Sequence, residues 1–184
     1  AMFQAQHRLL GALWHEWRRP EGSAGRYGFV HGLGHSLVAG DPESVRSGLT
    51  HMPYFVVLWQ RPHERWRLYL YWRWLDEPDR MVAAYTHSLP PTLGTGAVDQ
   101  VDAVGQWLAV VGFLDSFGLN DAAHEQLSRC VALAESTPLV DEARLAILNQ
   151  QGVAAQRRGD LVGAARHLEA ALEVRPAAVV AANL

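Results

Sequence analysis

The chain has 184 residues, 49% of them apolar, which is enough to bury one large core or two small ones. A formal net charge of −3 supplies no bulk attraction to nucleic acid or to an anionic membrane. Cys130 is the single cysteine, so a disulfide framework and a thiolate zinc site are excluded, and no apolar run reaches the roughly 18 residues that span a bilayer.

Residues 2–18 place Leu9, Leu10, Leu13, Trp14 and Trp17 at helical spacing. Pro20 to Gly25 breaks that helix, and a second is expected over 26–39, carrying Tyr27, Val30, Leu33 or Gly34, and Leu37-Val38 on one face and capped by Gly40. Asp41-Pro42-Glu43 starts a third, which runs to about His51: an aspartate accepts a hydrogen bond from the exposed amides and proline fits the first turn. Pro53 opens a short helix, Pro62 a longer one to Leu75, and Pro78 another to about Ser88. No segment alternates with period two between turn signals, so strands are not expected.

Six of the seven tryptophans precede residue 75, whereas the second half is rich in Ala, Leu, Val and Gly. With Pro90-Pro91-Thr92-Leu93-Gly94-Thr95-Gly96 at the change, a boundary or hinge is expected over 89–97. The first domain is then a bundle of short helices over 1–90, and the second begins at 97 with longer helices over 98–117 and 120–135.

Residues 145–176 hold the most specific pattern in the chain. Gly152 and Ala164 stand twelve apart; Leu168 follows by four, Ala171 by three more and Pro176 by five more, with Gly159-Asp160 at the turn between two helices. Small residues belong where two helices cross closely, a leucine fills the space between them, and a proline, lacking an amide donor, ends the second. This spacing resembles the tetratricopeptide (TPR) repeat. An offset of 41 places Gly118 on Gly159, Ala123 on Ala164, Leu127 on Leu168 and Cys130 on Ala171; Trp107 falls on Leu148, where the TPR pattern favours Trp, and Val111 replaces the small residue Gly152. Against the usual period of about 34, about seven extra residues are expected in the connection ending at Pro138. Ala178 to Leu184 reads as the start of a third repeat, which suggests a piece of a longer array.

The resemblance implies an all-α, TPR-like α-solenoid behind the N-terminal bundle, with hairpins over 98–135 and 141–175 and a partial third from 178. It also implies a concave groove facing Gly105, Leu108, Gly112 and Asp115 from the first hairpin and Asn149, Val153, Gln156 and Arg157 from the second. The expected ligand is a peptide or a partner protein. All sixteen basic residues are arginine, so the Lys/Asn set with which some TPRs clamp a C-terminal carboxylate is absent. In the first half, Tyr27-Gly28-Phe29-Val30-His31-Gly32-Leu33-Gly34-His35-Ser36-Leu37-Val38-Ala39-Gly40 resembles a "Tyr…His-Leu-x-x-His-Leu…Ala-Gly" helix of STAND-class NTPases, although Gly32 and Ser36 replace the leucine after each histidine. Tyr71-Trp72-Arg73-Trp74-Leu75 is similar to an aromatic helix found between that region and a TPR array. This implies a sensor part of a signalling ATPase; no GxxxxGK[ST] phosphate loop occurs in the chain, so ATPase activity is expected outside it.

Two other chemistries were weighed. His31 and His35, four apart on a helix, have the spacing to share a metal in a hydrolase, with Asp41 and His51 as further ligands. Packing between helices is the simpler account. The interleaved arginines and aromatics of 62–75 could stack nucleic-acid bases, but with a net negative charge and no basic run, one aromatic stripe in the core with arginines lying along it is the simpler account. Gly34-His35-Ser36-Leu37-Val38 lacks the final glycine of a nucleophile elbow. The reading is therefore a binding module and not an enzyme, with no cofactor and no membrane or nucleic-acid partner, in a reducing cytoplasmic setting. Its apolar C-terminal end is a second route, to self-association.

Overall fold

The computed structural model describes residues 2–12 and 23–174. Every regular element among them is a helix: α1 (Met2–Ala12), α2 (Ser23–Val38), α3 (Pro42–Leu49), α4 (Met52–Gln60), α5 (Arg65–Leu75), α6 (Pro78–Ser88), α7 (Ala97–Ser116), α8 (Asn120–Glu135), α9 (Asp141–Arg157) and α10 (Leu161–Val174). Leu13, Trp14, Trp17, Pro176 and the stretch 178–184 lie outside the described residues. The chain divides into two compact units, Ala1–Ser88 and Leu89–Leu184.

In the first unit, turn chemistry sets the helix ends. Gly40, at φ 70°, closes α2, and the amides of Gly40 and Asp41 return to the carbonyls of Leu37 and Ser36 at 3.0 Å each. Asp41 then caps α3: Oδ1 accepts from the Ser44 amide at 3.1 Å and Oδ2 from the Ser44 hydroxyl at 2.7 Å. Pro62 does not open α5, which starts three residues later at Arg65 after a turn over 62–64. Val38 is exposed, not part of a buried face of α2.

The core of this unit is Leu33, Val45, Leu49, Phe55, Leu58, Leu68, Trp72, Met81 and Tyr85, all buried. The one polar edge of Trp72 donates from Nε1 to the Tyr85 hydroxyl at 3.0 Å, so the largest core side chain is also satisfied. Gly48 lets α3 reach α2: a Cβ there would lie 2.3 Å from Cδ2 of Leu33. At the rim, Arg46 of α3 grips Glu77 through Nε at 3.0 Å and Nη2 at 2.8 Å, tying α3 to the turn between α5 and α6.

The second unit is two helical hairpins, α7–α8 and α9–α10. Gly118 and Gly159 take the left-handed conformation at φ 90° and 79°. Each turn closes alike: Gly118 to Asp115 (3.1 Å) and Leu119 to Leu114 (2.9 Å), then Gly159 to Gln156 and Asp160 to Ala155 (3.0 Å each). Donors and acceptors alike are 41 residues apart. Ala123, Leu127 and Cys130 are buried on α8 as Ala164, Leu168 and Ala171 are on α10. A Cβ on Gly152 would sit 2.6 Å from Cγ of Leu168, so any larger residue at the crossing of α9 and α10 would displace that leucine. At the equivalent place α7 carries Val111, which is buried at the crossing with α8. Against α9, α7 contributes more packing than α8 does.

Two connections are held by side chains. The stretch expected as a boundary or hinge is held down: Leu89 and Leu93 are buried, and the Pro90 carbonyl accepts from Trp107 Nε1 at 3.2 Å. Between the hairpins, α8 ends at Glu135 and α9 begins at Asp141, the bounds expected for them, and the connection is 136–140. Gln100, buried in α7, fastens that connection: Nε2 donates to the Pro138 carbonyl at 2.9 Å and Oε1 accepts from the Val140 amide at 2.8 Å. One side-chain amide thus satisfies two backbone groups that no helix serves.

Candidate functional site

The second unit carries a groove between α8 on one side and α9 with α10 on the other. It comprises three successive cavities. A cavity of about 520 Å³ opens where the ends of α7 and α9 meet the start of α8, and has Val111, Asp115, Asn120 and Arg157 in its wall. The next, about 220 Å³, shares His124, Leu127, Ala154 and Arg158 with the first. The third, also about 520 Å³, shares Val131, Glu135, Gln151 and His167 with the second and ends at Pro138, Ile147 and Leu148. Shared walls make the three one channel. It follows α8, whose sixteen residues extend ~24 Å at 1.5 Å each.

The floor is apolar, from Leu127, Val131, Ala154 and Ile147, and polar groups stand along the walls. Arg157 of α9 pairs with Asp115 of α7, linking the two hairpins at the rim of the first cavity. Arg158 turns instead to His124, with Nη1 to Nδ1 at 3.3 Å. A guanidinium has no acceptor, so Nδ1 of His124 is the accepting side of this contact. No carboxylate pairs with Arg158 or with Arg144, at the far end, among the described residues. Apolar floor with a few polar groups is the usual make-up of a binding cleft.

Of the eight residues expected to face a groove, only Asp115 and Arg157 line these cavities, and they are brought together as an ion pair. Gly105 and Gln156 are exposed, and Leu108, Gly112, Asn149 and Val153 are half-buried; none of these six lines the three cavities. The other residues that do, on α8 and α9 above all, with His167 from α10, were not anticipated from the repeat pattern. Two signals pointed there: an offset of 41 in place of about 34, and polar residues His124 and His167 placed beside the buried positions Leu127 and Leu168.

The other candidates are placed as follows. His35 Nδ1 lies 2.8 Å from Nδ1 of His7 on α1, and the rings are 4.9 Å apart. Burial, and then the like charges of His7 and His31, hold His35 below the ordinary histidine range. Asp41 is engaged as the α3 cap. No group of three or more His, Cys, Asp or Glu side chains placed to hold a metal occurs among the described residues. Ser36 is buried within helix α2, not on a strand-to-helix turn. Cys130 is fully buried, and desolvation pushes its thiol up to about 12, so the reactive thiolate is absent near neutral pH.

On α5, Leu68, Tyr71 and Trp72 are core. Arg65 stacks 4.3 Å over the Trp59 ring and donates to its carbonyl, and Arg67 pairs with Glu64 at 2.9 Å. Two of the arginines expected to present cations to a nucleic acid are thus engaged within the unit. No helix among the described residues is long and apolar enough to cross a membrane. No family model, curated protein or solved structure matches the chain.

Proposed function

We propose that the two C-terminal hairpins are a TPR-type binding module that holds a peptide or a partner segment along the groove between α8 and α9–α10. The observation that carries this reading is the continuity of the three cavities over an apolar floor, with Arg158 and Arg144 on the walls and no carboxylate paired with either among the described residues. An extended peptide rises about 3.3 Å per residue, so a channel of ~24 Å takes about seven residues. The common register of the two hairpins, down to the hydrogen bonds of each turn, supports treating them as repeats. The likeness of residues 3–90 to the helical region of STAND-class NTPases supports a setting in a larger signalling ATPase, with the module as its sensor.

The test is selection of peptides from a random display library on the whole chain, followed by affinity measurement on variants. Arg158→Glu and Val131→Arg, one on the wall and one on the floor, are expected to weaken a selected peptide about tenfold or more. Unchanged affinity in both variants, or no peptide recovered, would count against the groove as the site.

A further inference from the structure

Among the described residues, α1 is held to α2 by few side chains. Of residues 2–10, only His7 and Leu10 are half-buried, and the others are exposed. α1 packs on α2 and has 11 residues, a length at which a helix is marginal alone in water. At the contact, Nδ1 of His7 lies 2.8 Å from Nδ1 of His35. The ring centres are 4.9 Å apart, 2.1 Å more than the nitrogens. That excess is close to one ring diameter, so the two nitrogens aim at each other along the line between the rings. Ligands of a shared metal would converge on a third point instead; this contact is a hydrogen bond.

Such a bond counts protons. A neutral imidazole has one N–H and one acceptor, whereas an imidazolium has two donors and no acceptor. The pair stays closed when neutral, and one added proton strengthens it. With a second, both Nδ1 atoms are donors and two positive charges face each other. The surroundings add to this. Burial first, then His7 and then His31, oppose a charge on His35. On α1, Arg8 acts on Asp41, the cap of α3, whose lowered carboxyl keeps its charge through the histidine range. On α3, Arg46 pairs with Glu43 and with Glu77. From α5, the Tyr71 hydroxyl lies 3.5 Å from where a Cβ on Gly34 would stand, and burial keeps it neutral.

We infer that His7 and His35 form a proton-operated latch, closed at neutral pH and opened by acid, which releases α1 from α2. Histidine in water takes its proton at about pH 6.5, so below that value each unit of pH favours the open form about tenfold or more. The stability that α1 draws from the latch is present above that value and is lost as the pH falls.

Amide hydrogen exchange of the whole chain, corrected for the intrinsic effect of pH, tests this. Protection of the amides of residues 6–10 is expected to fall about tenfold or more between about pH 7 and about pH 5, while that of α9, in the other unit, stays unchanged. His7→Asn puts an amide, both donor and acceptor, in place of Nδ1, and α1 then stays protected at both values. Nitrogen NMR of the imidazoles gives a second reading: a coupling between the two Nδ1 atoms across the hydrogen bond at neutral pH, gone in acid. Equal protection of α1 at both values, a fall shared by α9, a fall that persists in His7→Asn, or no coupling at neutral pH overturns the inference.

Discussion

Single side chains do three separate jobs in this protein. Gln100 is the clearest, since its amide serves the Pro138 carbonyl and the Val140 amide at once. Gln100→Ala would leave both partly buried groups without this partner, and losing a hydrogen-bond partner costs about 1–3 kcal/mol where water does not replace it. A loss of about 2–3 kcal/mol in urea-induced unfolding is expected; a loss within error would mean that water replaces the amide freely. Asp41 acts through its charge. Hydrogen bonds from the Ser44 hydroxyl and then the Ser44 amide hold its carboxyl below the usual range, against the opposing effect of burial, with Arg8 helping. A carboxylate lowered on folding lends stability that is present above its unfolded value and is lost as the pH falls through its folded value. Asp41→Ala should therefore cost about 1 kcal/mol at neutral pH. The gap between variant and parent should close on acidification through the carboxylate range, and a gap independent of pH would contradict the assignment. Cys130, by contrast, packs as a small apolar side chain, and its chemistry is suppressed by burial.

At the scale of the helix, glycines of one type have opposite meanings. Gly152 faces Leu168 across the α9–α10 crossing, where a Cβ would fall 2.6 Å from Cγ. Gly105, also inside a helix, has nothing within 4 Å of its added Cβ. Gly105→Ala should stabilise by about 0.5–1 kcal/mol by restricting the unfolded chain. Gly152→Ala should cost about 1–3 kcal/mol, because overpacking outweighs the same propensity gain. Thermal unfolding of the two variants reads the contrast directly, and shifts of equal sign would refute it. Much of this level was legible beforehand. Asp41-Pro42, Gly40, Gly118 and Gly159 mark helix ends by local chemistry, and the spacing of Ala164, Leu168 and Ala171 marks a buried face by period. What was not legible depends on partners distant in sequence. Nothing local in Gln100 announces Pro138, 38 residues on. The composition of α5 could not say which of its two aromatic stripes goes inward, because Trp66 and Trp72 are equally apolar. Only Trp72 has Tyr85 to take its N–H.

At the scale of the whole chain, two all-helical units are built by different means. The first joins short helices through aromatic packing and the Arg46–Glu77 clamp. The second repeats one hairpin at an offset of 41 and opens a channel beside α8. The repeat pattern led to residues on the first helix of each hairpin, and only Asp115 and Arg157 of these reach the channel. A pattern read from consensus spacing carries the packing of helices within a hairpin. It does not carry the seam between hairpins, which depends on partners distant in sequence such as Gln100 with Pro138 and Val140. Amide chemical-shift mapping of the isotope-labelled chain with a display-selected peptide tests the central claim most directly. Shifts concentrated at His124, Val131, Ala154, Arg158 and His167 are the predicted result. Shifts confined to Gly105, Leu108, Asn149 and Val153, with α8 and α10 silent, would contradict it.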